Sequence, residues 1–344
     1  MKKGKWRSWL LFTTVGTAVI FADPASHPAT VQGAQEAQDT KDTSVKEDET
    51  DNSDAQTRVG TEEEEKEIYL ENEWGFVEQS LDISKGIPED AQGRLDKIKR
   101  TGRLTIATEP YFPPQEFIDP SLEGQEQYVG SDMELARLIA GKMEVELEIV
   151  PMSFAEVLSS VTEGTVDLAI SGLSFTPGRA GAMELSKGYY FSGETAGIGI
   201  LIRKKDADKI KSVEDLENKN IIAQMASLQE AMMVEKVLNY REFRRVSTME
   251  KIYTALEKGI SDAAFVDVDS VEVYLNSHPD SELMLVPGVN FIQEEQYNGD
   301  RVAAPRNEIQ LICFVNGVID EVVESGQYNQ WYEEYARYAK DLPD

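Results

Sequence analysis

The chain has 344 residues and a formal net charge of −29, with 63 acidic against 34 basic side chains. This acidity argues against binding to DNA or RNA, whose phosphates attract basic proteins. With a single cysteine, Cys313, no intrachain disulfide can form, and two histidines, His27 and His278, argue against a Ser-His-Asp triad or a histidine-rich zinc site. We therefore expect neither a metal nor a cofactor.

The N-terminus resembles a secretory signal. Lys2, Lys3 and Lys5 precede an apolar run at 9–22, and small residues and prolines follow it. The run is shorter than the about 20 residues that a membrane-spanning helix needs, but no clear cleavage site follows it. Residues 1–31 are therefore predicted to be either a secretory signal or an uncleaved anchor. Both alternatives predict an extracytoplasmic protein that is held at the cell surface, secreted or periplasmic.

Two further segments precede the folded part. Residues 32–66 are polar and strongly acidic, with an unbroken glutamate run at 62–65. Such a segment cannot bury enough apolar surface to offset its chain entropy, so a disordered linker is predicted. Residues 67–93 carry scattered apolar side chains and are predicted to form a strap packed on the folded domain.

From residue 94 onwards, strand-like apolar runs alternate with amphipathic helical stretches. The runs lie at 104–107, 145–150, 166–170, 197–203, 221–224 and 263–266. This alternation predicts right-handed βαβ units around largely parallel sheets. Two successive series predict two α/β lobes with a ligand between them. Lobe 1 would comprise 94–195 and 288–344, lobe 2 would comprise 196–287, and the crossovers would lie at 190–196 and about 287–290.

The most informative stretch is 167–179, where an apolar run ends in small and hydroxyl residues. Thr176 and Pro177 then predict a helix start, with Arg179 in the first turn. An arginine can hold a carboxylate through two parallel hydrogen bonds, and a helix N-terminus adds free N–H donors. The stretch therefore predicts a carboxylate-binding site. The alternative is an ordinary helix start with a solvated Arg179.

Other strand ends carry polar or aromatic residues, and ligands of open α/β sheets bind at the carboxyl ends of strands. Glu109 and Phe112 follow the first strand. Phe112 and Phe154 would stack on a ligand or, alternatively, fill the lobe edge and the core. Ser227 begins a helix whose N–H groups could meet a carboxylate. Asp267 ends an apolar strand, where it would bind an ammonium group or cap the next helix.

Together and in this order, these features resemble the family 3 extracellular solute-binding proteins of polar amino-acid ABC transporters. The resemblance covers about residues 95–342. It lies in 107–117, 130–136, 167–179, 185–190 and 326–331. It implies a two-lobed, periplasmic-binding-protein-like type II (Venus flytrap) fold with two hinge crossings, preceded by a disordered N-terminal segment.

The resemblance also implies roles for the site residues. Arg179 would bind the ligand α-carboxylate, and Asp267 would bind the α-ammonium group. Ser174 and backbone N–H groups near Gly172 and Ser227 would assist Arg179. Phe112 and Phe154 would sandwich the side chain, with Glu109 near its end. The full predicted ligand-binding set is Glu109, Phe112, Phe154, Ser171, Gly172, Ser174, Arg179, Ser227 and Asp267.

Three positions depart from the family pattern: Gln115, Ser131 and Leu228. Gln115 and Ser131 stand where the family usually has aromatic residues, and Leu228 stands where a threonine often helps to hold the carboxylate. These departures bear on affinity and side-chain selectivity, and the fold prediction is unaffected.

The function implied by the resemblance is a non-enzymatic, monomeric receptor. An amino acid would close the lobes, and the closed form would dock on a membrane ABC permease. One alternative is a secreted cyclohexadienyl or arogenate dehydratase on the same fold, with Glu109 as general acid. Another is an amino-acid-sensing module.

Overall fold

The computed structural model describes residues 75–191, 197–292 and 298–342. The predicted signal or anchor (1–31), the predicted linker (32–66), the first residues of the strap and most of the first crossover lie outside these residues. The strands are β1 (Arg103–Thr108), β2 (Tyr111–Phe112), β3 (Glu116–Ile118), β4 (Tyr128–Val129), β5 (Glu146–Pro151), β6 (Leu168–Ala169), β7 (Glu184–Tyr190), β8 (Ile198–Arg203), β9 (Asn220–Gln224), β10 (Glu242–Val246), β11 (Ala263–Asp267), β12 (Leu283–Leu285) and β13 (Asp300–Ala304). The helices are α1 (Gly93–Thr101), α2 (Ser131–Met143), α3 (Phe154–Thr162), α4 (Pro177–Ala182), α5 (Leu228–Lys236), α6 (Met249–Glu257), α7 (Val268–Ser277), α8 (Ile309–Glu324) and α9 (Gln327–Asp341).

Two five-stranded sheets organise the two lobes. The sheet of lobe 1 has the order β5-β1-β6-β13-β7, and the sheet of lobe 2 has the order β10-β9-β11-β8-β12. A small antiparallel sheet, β2-β3-β4, extends lobe 1 beside the cleft. The two α/β lobes confirm the predicted fold class.

Both large sheets are mixed, which corrects the expectation of largely parallel sheets. In lobe 1, β1 pairs in parallel with β5 and β6, whereas β13 runs antiparallel to β6 and β7. In lobe 2, β9 pairs in parallel with β10 and β11, whereas β8 runs antiparallel to β11 and β12. The reason is connectivity. β8 and β13 each enter a sheet from the other lobe, at the edge where the parallel strands end, and so run the opposite way.

Apolar helix faces cover both sides of each sheet. In lobe 1, alternate residues of β1 point to opposite faces, so that Ile106 joins one buried cluster and Ala107 the other. Burying a leucine or isoleucine such as Leu135 or Ile139 of α2 contributes roughly 1.5–3 kcal/mol. Cys313 is fully buried in α8, and a cysteine buried in apolar surroundings is unreactive. In the part of the chain that is described, no helix combines the length and apolar character needed to cross a membrane.

Residues 75–92 pack along lobe 1. The N–H of Val77 donates to the carbonyl of Leu185 in β7 (2.8 Å). The side-chain amide of Asn316 in α8 donates to the carbonyls of Val77 and Gln79 (2.8 Å each). A Cβ at Gly317 would lie 2.5 Å from the Leu81 carbonyl oxygen, so this close approach requires glycine. The segment is therefore an integral part of the lobe.

The chain passes between the sheets twice, after β7 and after β12. In the second passage, Val289 and Phe291 still pack with the apolar cluster of lobe 2. Phe291 also forms a bridge with Ile198 at the start of β8. The chain thus remains with lobe 2 a few residues beyond the predicted boundary at 287/288. The exact segment boundaries stay a prediction.

Candidate ligand-binding site

The predicted site residues gather at the edge where the parallel strands of both lobes end. Glu109 follows β1, Ser171 follows β6, Ser227 follows β9, and Asp267 ends β11. Because carboxyl ends of parallel strands meet at one edge of a sheet, residues distant in sequence converge here. The two edges face each other across a cleft.

Two adjoining cavities occupy the cleft. The first, here called the arginine cavity, has a volume of about 30 Å³ and is lined by eight of the nine predicted residues. The second, here called the aspartate cavity, has a volume of about 250 Å³ and is lined by the ninth, Asp267. The residues shared by both are Phe112, Gly172, Ser174, Leu228 and Gln229. The cavities therefore lie side by side in one cleft.

Arg179 is held at the bottom of the arginine cavity by contacts from both lobes. Its Nη1 donates to the Ser174 carbonyl (2.6 Å), and its Nη2 donates to the Ala226 carbonyl of lobe 2 (3.2 Å). The guanidinium also lies over the Phe154 ring, 5.2 Å from the ring centroid. Arg179 is only 8% exposed, so the alternative of a solvated surface arginine is wrong.

The charge and donors of Arg179 suit an anionic ligand group. Burial lowers the pKa of its guanidinium to about 10, so it stays charged at neutral pH. A guanidinium has five N–H groups, and the two contacts above use two of them. As far as the described residues are concerned, three therefore remain for a carboxylate.

Capping residues at the starts of α4 and α3 position Arg179 and Phe154. The Thr176 hydroxyl accepts a hydrogen bond from the Arg179 N–H (3.1 Å), and Pro177 occupies the first turn of α4. The predicted N-cap is thus confirmed. Glu156 accepts a hydrogen bond from the Ser153 N–H (2.9 Å) at the start of α3, which fixes the entry of the chain at Phe154.

Ser227 caps α5 at the cleft edge of lobe 2. Its hydroxyl accepts from the Glu230 N–H (3.1 Å) and donates to the Gln224 carbonyl (2.7 Å). The first N–H groups of a helix have no acceptor inside it, and Leu228 and Gln229 at this end line both cavities. Lobe 2 thus presents a helix N-terminus opposite Arg179.

Asp267 caps a helix and lines a cavity at the same time. Its Oδ1 accepts a hydrogen bond from the Ser270 N–H (2.8 Å) at the start of α7, and the residue also lines the aspartate cavity. Burial raises the pKa of its carboxyl to about 7, with smaller contributions from Asp269 and Asp300. The two predicted alternatives are therefore compatible.

Ser171 and Gly172 are committed to buried acidic residues. The Ser171 hydroxyl donates to Glu116 (2.8 Å) and accepts from the Glu109 N–H (3.0 Å). The Gly172 N–H donates to Asp132 (2.9 Å), contrary to the expectation that it would donate to the ligand. Gly172 instead provides space, because a Cβ there would lie 3.3 Å from both the Gln115 amide and the Phe112 ring.

Glu109 is a buried carboxyl facing the arginine cavity. It is 1% exposed, and its Oε1 has no hydrogen-bond partner among the described residues. Burial raises the pKa of Glu109 to about 8, and a hydrogen bond from Gln224 opposes this rise. The carboxyl is therefore mostly protonated at neutral pH in the absence of ligand. This state allows it to donate a hydrogen bond.

Phe112 joins the two lobes. It belongs to the small sheet of lobe 1, yet it packs against the lobe 2 cluster that contains Met249 and Tyr253. It also lines both cavities. Phe112 and the Arg179–Ala226 contact therefore both bridge the cleft.

Sequence reasoning missed several lining residues of the aspartate cavity, above all Asp300. Gln115 Nε2 donates to Asp300 Oδ2 (2.9 Å), and the Ser174 hydroxyl donates to Oδ1 (3.4 Å). Burial raises the pKa of Asp300 to about 7, with Asp132 adding to the rise and Arg179 opposing it. A usable signal was a polar residue at the beginning of a short apolar strand, since an antiparallel strand starts where parallel strands end.

Two α/β lobes around a cleft with opposed groups for anions and cations define a protein that encloses a small polar solute. Residues 104–338 match the model of the bacterial extracellular solute-binding proteins, family 3. The chain therefore belongs to this family, which confirms the resemblance and the substrate-binding function that it implied.

Relatives named for amino-acid binding or transport match much of the chain. An amino-acid ABC transporter substrate-binding protein of Streptococcus pneumoniae, AbpA, solved bound to L-arginine, is 32% identical with a TM-score of 0.65, covering 72% of this chain and 100% of that one. The arginine-binding extracellular protein ArtP of Bacillus subtilis is 26% identical over 229 residues, 65% of this chain and 82% of ArtP. A probable histidine-binding protein of Campylobacter jejuni is 26% identical over 234 residues, 67% of this chain and 84% of the relative.

Proposed function

We propose that this chain captures an amino acid in its cleft and delivers it to a membrane ABC permease. The observation that carries the proposal is the pairing of Arg179 with Asp267 across one cleft. These residues come from different lobes and line adjoining cavities. One small ligand with a carboxylate and an ammonium group would satisfy both, and relatives named for amino-acid binding support this ligand class.

In this proposal the α-carboxylate binds the three remaining N–H groups of Arg179 and the N-terminus of α5. The α-ammonium group binds ionised Asp267. Ser174 lies at the junction of the two cavities, where its hydroxyl can reach the ligand. Phe112 and Phe154 provide apolar walls. Ser171 and Gly172 support the site from behind through Glu116 and Asp132.

We also propose that the protein acts as an extracytoplasmic monomer and is not an enzyme. The family is one of binding proteins, and the relatives reported above are named for the amino acids that they bind or for transport. The permease would recognise the closed form, in which both lobes contact the ligand.

The test is a calorimetric and thermal-shift screen of the full chain against the twenty amino acids. A ligand in thousandfold excess over its dissociation constant should raise the free energy of unfolding by about 4 kcal/mol. D-enantiomers of any binding amino acid serve as controls, because they cannot place both α-groups on Arg179 and Asp267 together with the side chain. If no amino acid raises the melting temperature or releases heat, the proposal fails.

One observation favours a second candidate, a dehydratase on the same fold. Glu109 is buried, its pKa is raised to about 8, and its Oε1 has no partner among the described residues. A protonated carboxyl of this kind can act as a general acid. Incubation with prephenate, followed by ultraviolet detection of phenylpyruvate, tests this function. Turnover that disappears in Glu109→Gln would favour the enzyme over the receptor.

A further inference from the structure

In the proposed function, Arg179 and Asp267, here called the clamp, bind the α-carboxylate and the α-ammonium group of an amino acid. They do not determine where the side chain of the ligand binds. Two acidic positions compete for the end of that side chain. Glu109 faces the arginine cavity, whereas Asp300 faces the aspartate cavity. Space and charge distinguish them.

The available space favours the aspartate cavity. The arginine cavity has a volume of about 30 Å³, which is on the order of one or two water molecules. The α-carboxylate on Arg179 would occupy it. The aspartate cavity, about 250 Å³, is large enough for an extended side chain and begins beside Ser174 and Gly172. A ligand side chain next to these two residues can therefore extend into the aspartate cavity.

The charges that line the aspartate cavity are all of one sign. Asp267, Asp269 and Asp300 contribute carboxyls, and none of its described lining residues is a lysine, an arginine or a histidine. The arginine cavity, in contrast, contains the Arg179 guanidinium, which repels a second cation, and burial raises the pKa values of its two carboxyls, Glu109 and Glu116, which favours their neutral forms. A cationic side chain is thus attracted to one cavity and disfavoured in the other.

The walls of the aspartate cavity suit a planar or extended cation. Tyr190 and Tyr332 stack on each other with their centroids 4.3 Å apart, and both line the cavity together with Phe112. Aromatic faces attract guanidinium and ammonium groups. The aliphatic part of a long side chain would lie against the same rings.

Hydrogen bonds from neighbouring residues orient the Asp300 carboxyl without using all of its acceptor positions. Gln115 and Ser174 each donate one bond to it, and a carboxylate offers about four acceptor positions. Counting the hydrogen bonds between described residues, two positions are therefore left for a ligand. Gln115 also fixes the orientation of Asp300, which gives a physical reason for an amide at a position where an aromatic residue was expected.

We propose that Asp300 selects for a cationic amino acid by binding its side-chain guanidinium or ammonium group in the aspartate cavity, with Asp269 as a second carboxylate. The inference rests on the proposed function and adds the ligand class and the residue that determines it. It also moves the side-chain end of the ligand from Glu109 to the opposite side of the clamp.

The test compares L-arginine with L-citrulline, which replaces the guanidinium by a neutral urea of nearly the same shape. Calorimetry on the full chain should show tighter binding of arginine. Asp300→Asn should weaken arginine by about 10- to 150-fold, the effect of one charge-assisted hydrogen bond, and change citrulline by less than about 3-fold. Asp208→Asn, at an exposed position far from the cleft, is the matched control and should change neither.

Two further variants make the outcome decisive. Glu109→Gln should leave the ratio of arginine to citrulline affinity intact, and Asp269→Asn should lower it. Asp269→Asn also replaces Asp300→Asn as the deciding variant if the latter fails to fold, as judged by its melting curve. The inference is overturned if Glu109→Gln abolishes the ratio, or if Asp300→Asn weakens both ligands equally.

Failure of the inference and failure of the proposed function give different results. A wild-type chain that binds a neutral amino acid better than arginine retains the proposed function and contradicts the role of Asp300. A chain that binds no amino acid contradicts both.

Discussion

The arginine cavity and the aspartate cavity lie in the same cleft but are built differently. Around the arginine cavity, polar groups of lobe 1 form hydrogen bonds with one another. The Ser171 hydroxyl donates a hydrogen bond to Glu116. Asp132 accepts hydrogen bonds from the Gly172 N–H and from the hydroxyls of Tyr189 and Tyr328. The aspartate cavity takes its acidic residues from both lobes, and the described residues satisfy only part of their hydrogen-bonding capacity.

The difference indicates how one cleft can combine a constant and a variable part. Hydrogen bonds already hold the residues of the arginine cavity in place, so binding the α-carboxylate that all amino acids share requires little reorganisation. The larger aspartate cavity can determine which side chain is bound, because changing one residue there leaves the arginine cavity intact. Four experiments test this difference between the two cavities.

Arg179→Ala should have the largest effect. Two charge-assisted hydrogen bonds to the carboxylate are worth about 3–6 kcal/mol together, so affinity for any amino acid should fall by roughly 10²- to 10⁴-fold. Calorimetry measures the loss. Arg100→Ala, which removes an exposed arginine paired with Asp96 on α1, should leave affinity unchanged. Unaltered binding in Arg179→Ala would mean that the carboxylate lies elsewhere.

Changing pH should move ligand-free stability and ligand affinity in opposite directions. The pKa of Glu109 is raised from 4.5 to about 8, and those of Asp267 and Asp300 from 3.8 to about 7. Between the unfolded and folded pKa values, the folded state binds more protons. The contribution of these three carboxyls to the free energy of unfolding is therefore complete below about pH 4 and is lost as pH rises through 7 and 8. The loss is up to about 1.4 kcal/mol per pH unit for each titrating group.

Binding of a cationic amino acid requires ionised Asp267 and Asp300, so its affinity should rise between pH 6 and 8. Thermal melts of the ligand-free chain and calorimetry across this range measure the two trends. Glu109→Gln should flatten the slope of stability because it removes one titrating group. If affinity instead falls with rising pH, these carboxyls do not bind a cation.

Asp132→Asn should destabilise the residues around the arginine cavity, although Asp132 itself does not line that cavity. The amide N–H₂ would face groups that now donate to Asp132, leaving a buried donor unpaired at a cost of about 1–3 kcal/mol. Denaturant unfolding should show this loss, whereas Asp96→Asn on the surface of α1 should show little. Equal stabilities would mean that the Tyr189 and Tyr328 hydroxyls find other acceptors.

Gly172→Ala should have the smallest effect, confined to the junction of the cavities. Gly172 has φ +49°, and an added Cβ would lie 3.3 Å from Gln115 and Phe112. The left-handed conformation alone costs about 1–2 kcal/mol for alanine. Gly141→Ala, in a helix and with open space around its Cβ, should instead stabilise the chain. Unchanged stability and affinity in Gly172→Ala would contradict the spacing role.

Much of the candidate site was accessible from sequence because it follows a general rule of parallel sheets. Glu109, Ser171, Ser227 and Asp267 interrupt apolar runs at strand ends, and those ends converge. The same rule failed for Asp300, which begins a strand that runs antiparallel to its neighbour β6. It also missed Asp132, which lies in the first turn of α2 and reaches the site only through hydrogen bonds.

Local patterns of apolar, capping and turn residues are enough to predict the order of strands and helices, the helix start at Thr176 and the family. Which of these residues are buried together becomes visible only in the folded chain. Whether Arg179 is solvated, whether Gly172 donates to a ligand, and whether Asp300 faces a cavity all depend on contacts between segments that are distant along the chain. Such contacts depend on how distant segments pack within a lobe and across the cleft, and a local sequence pattern does not encode this packing.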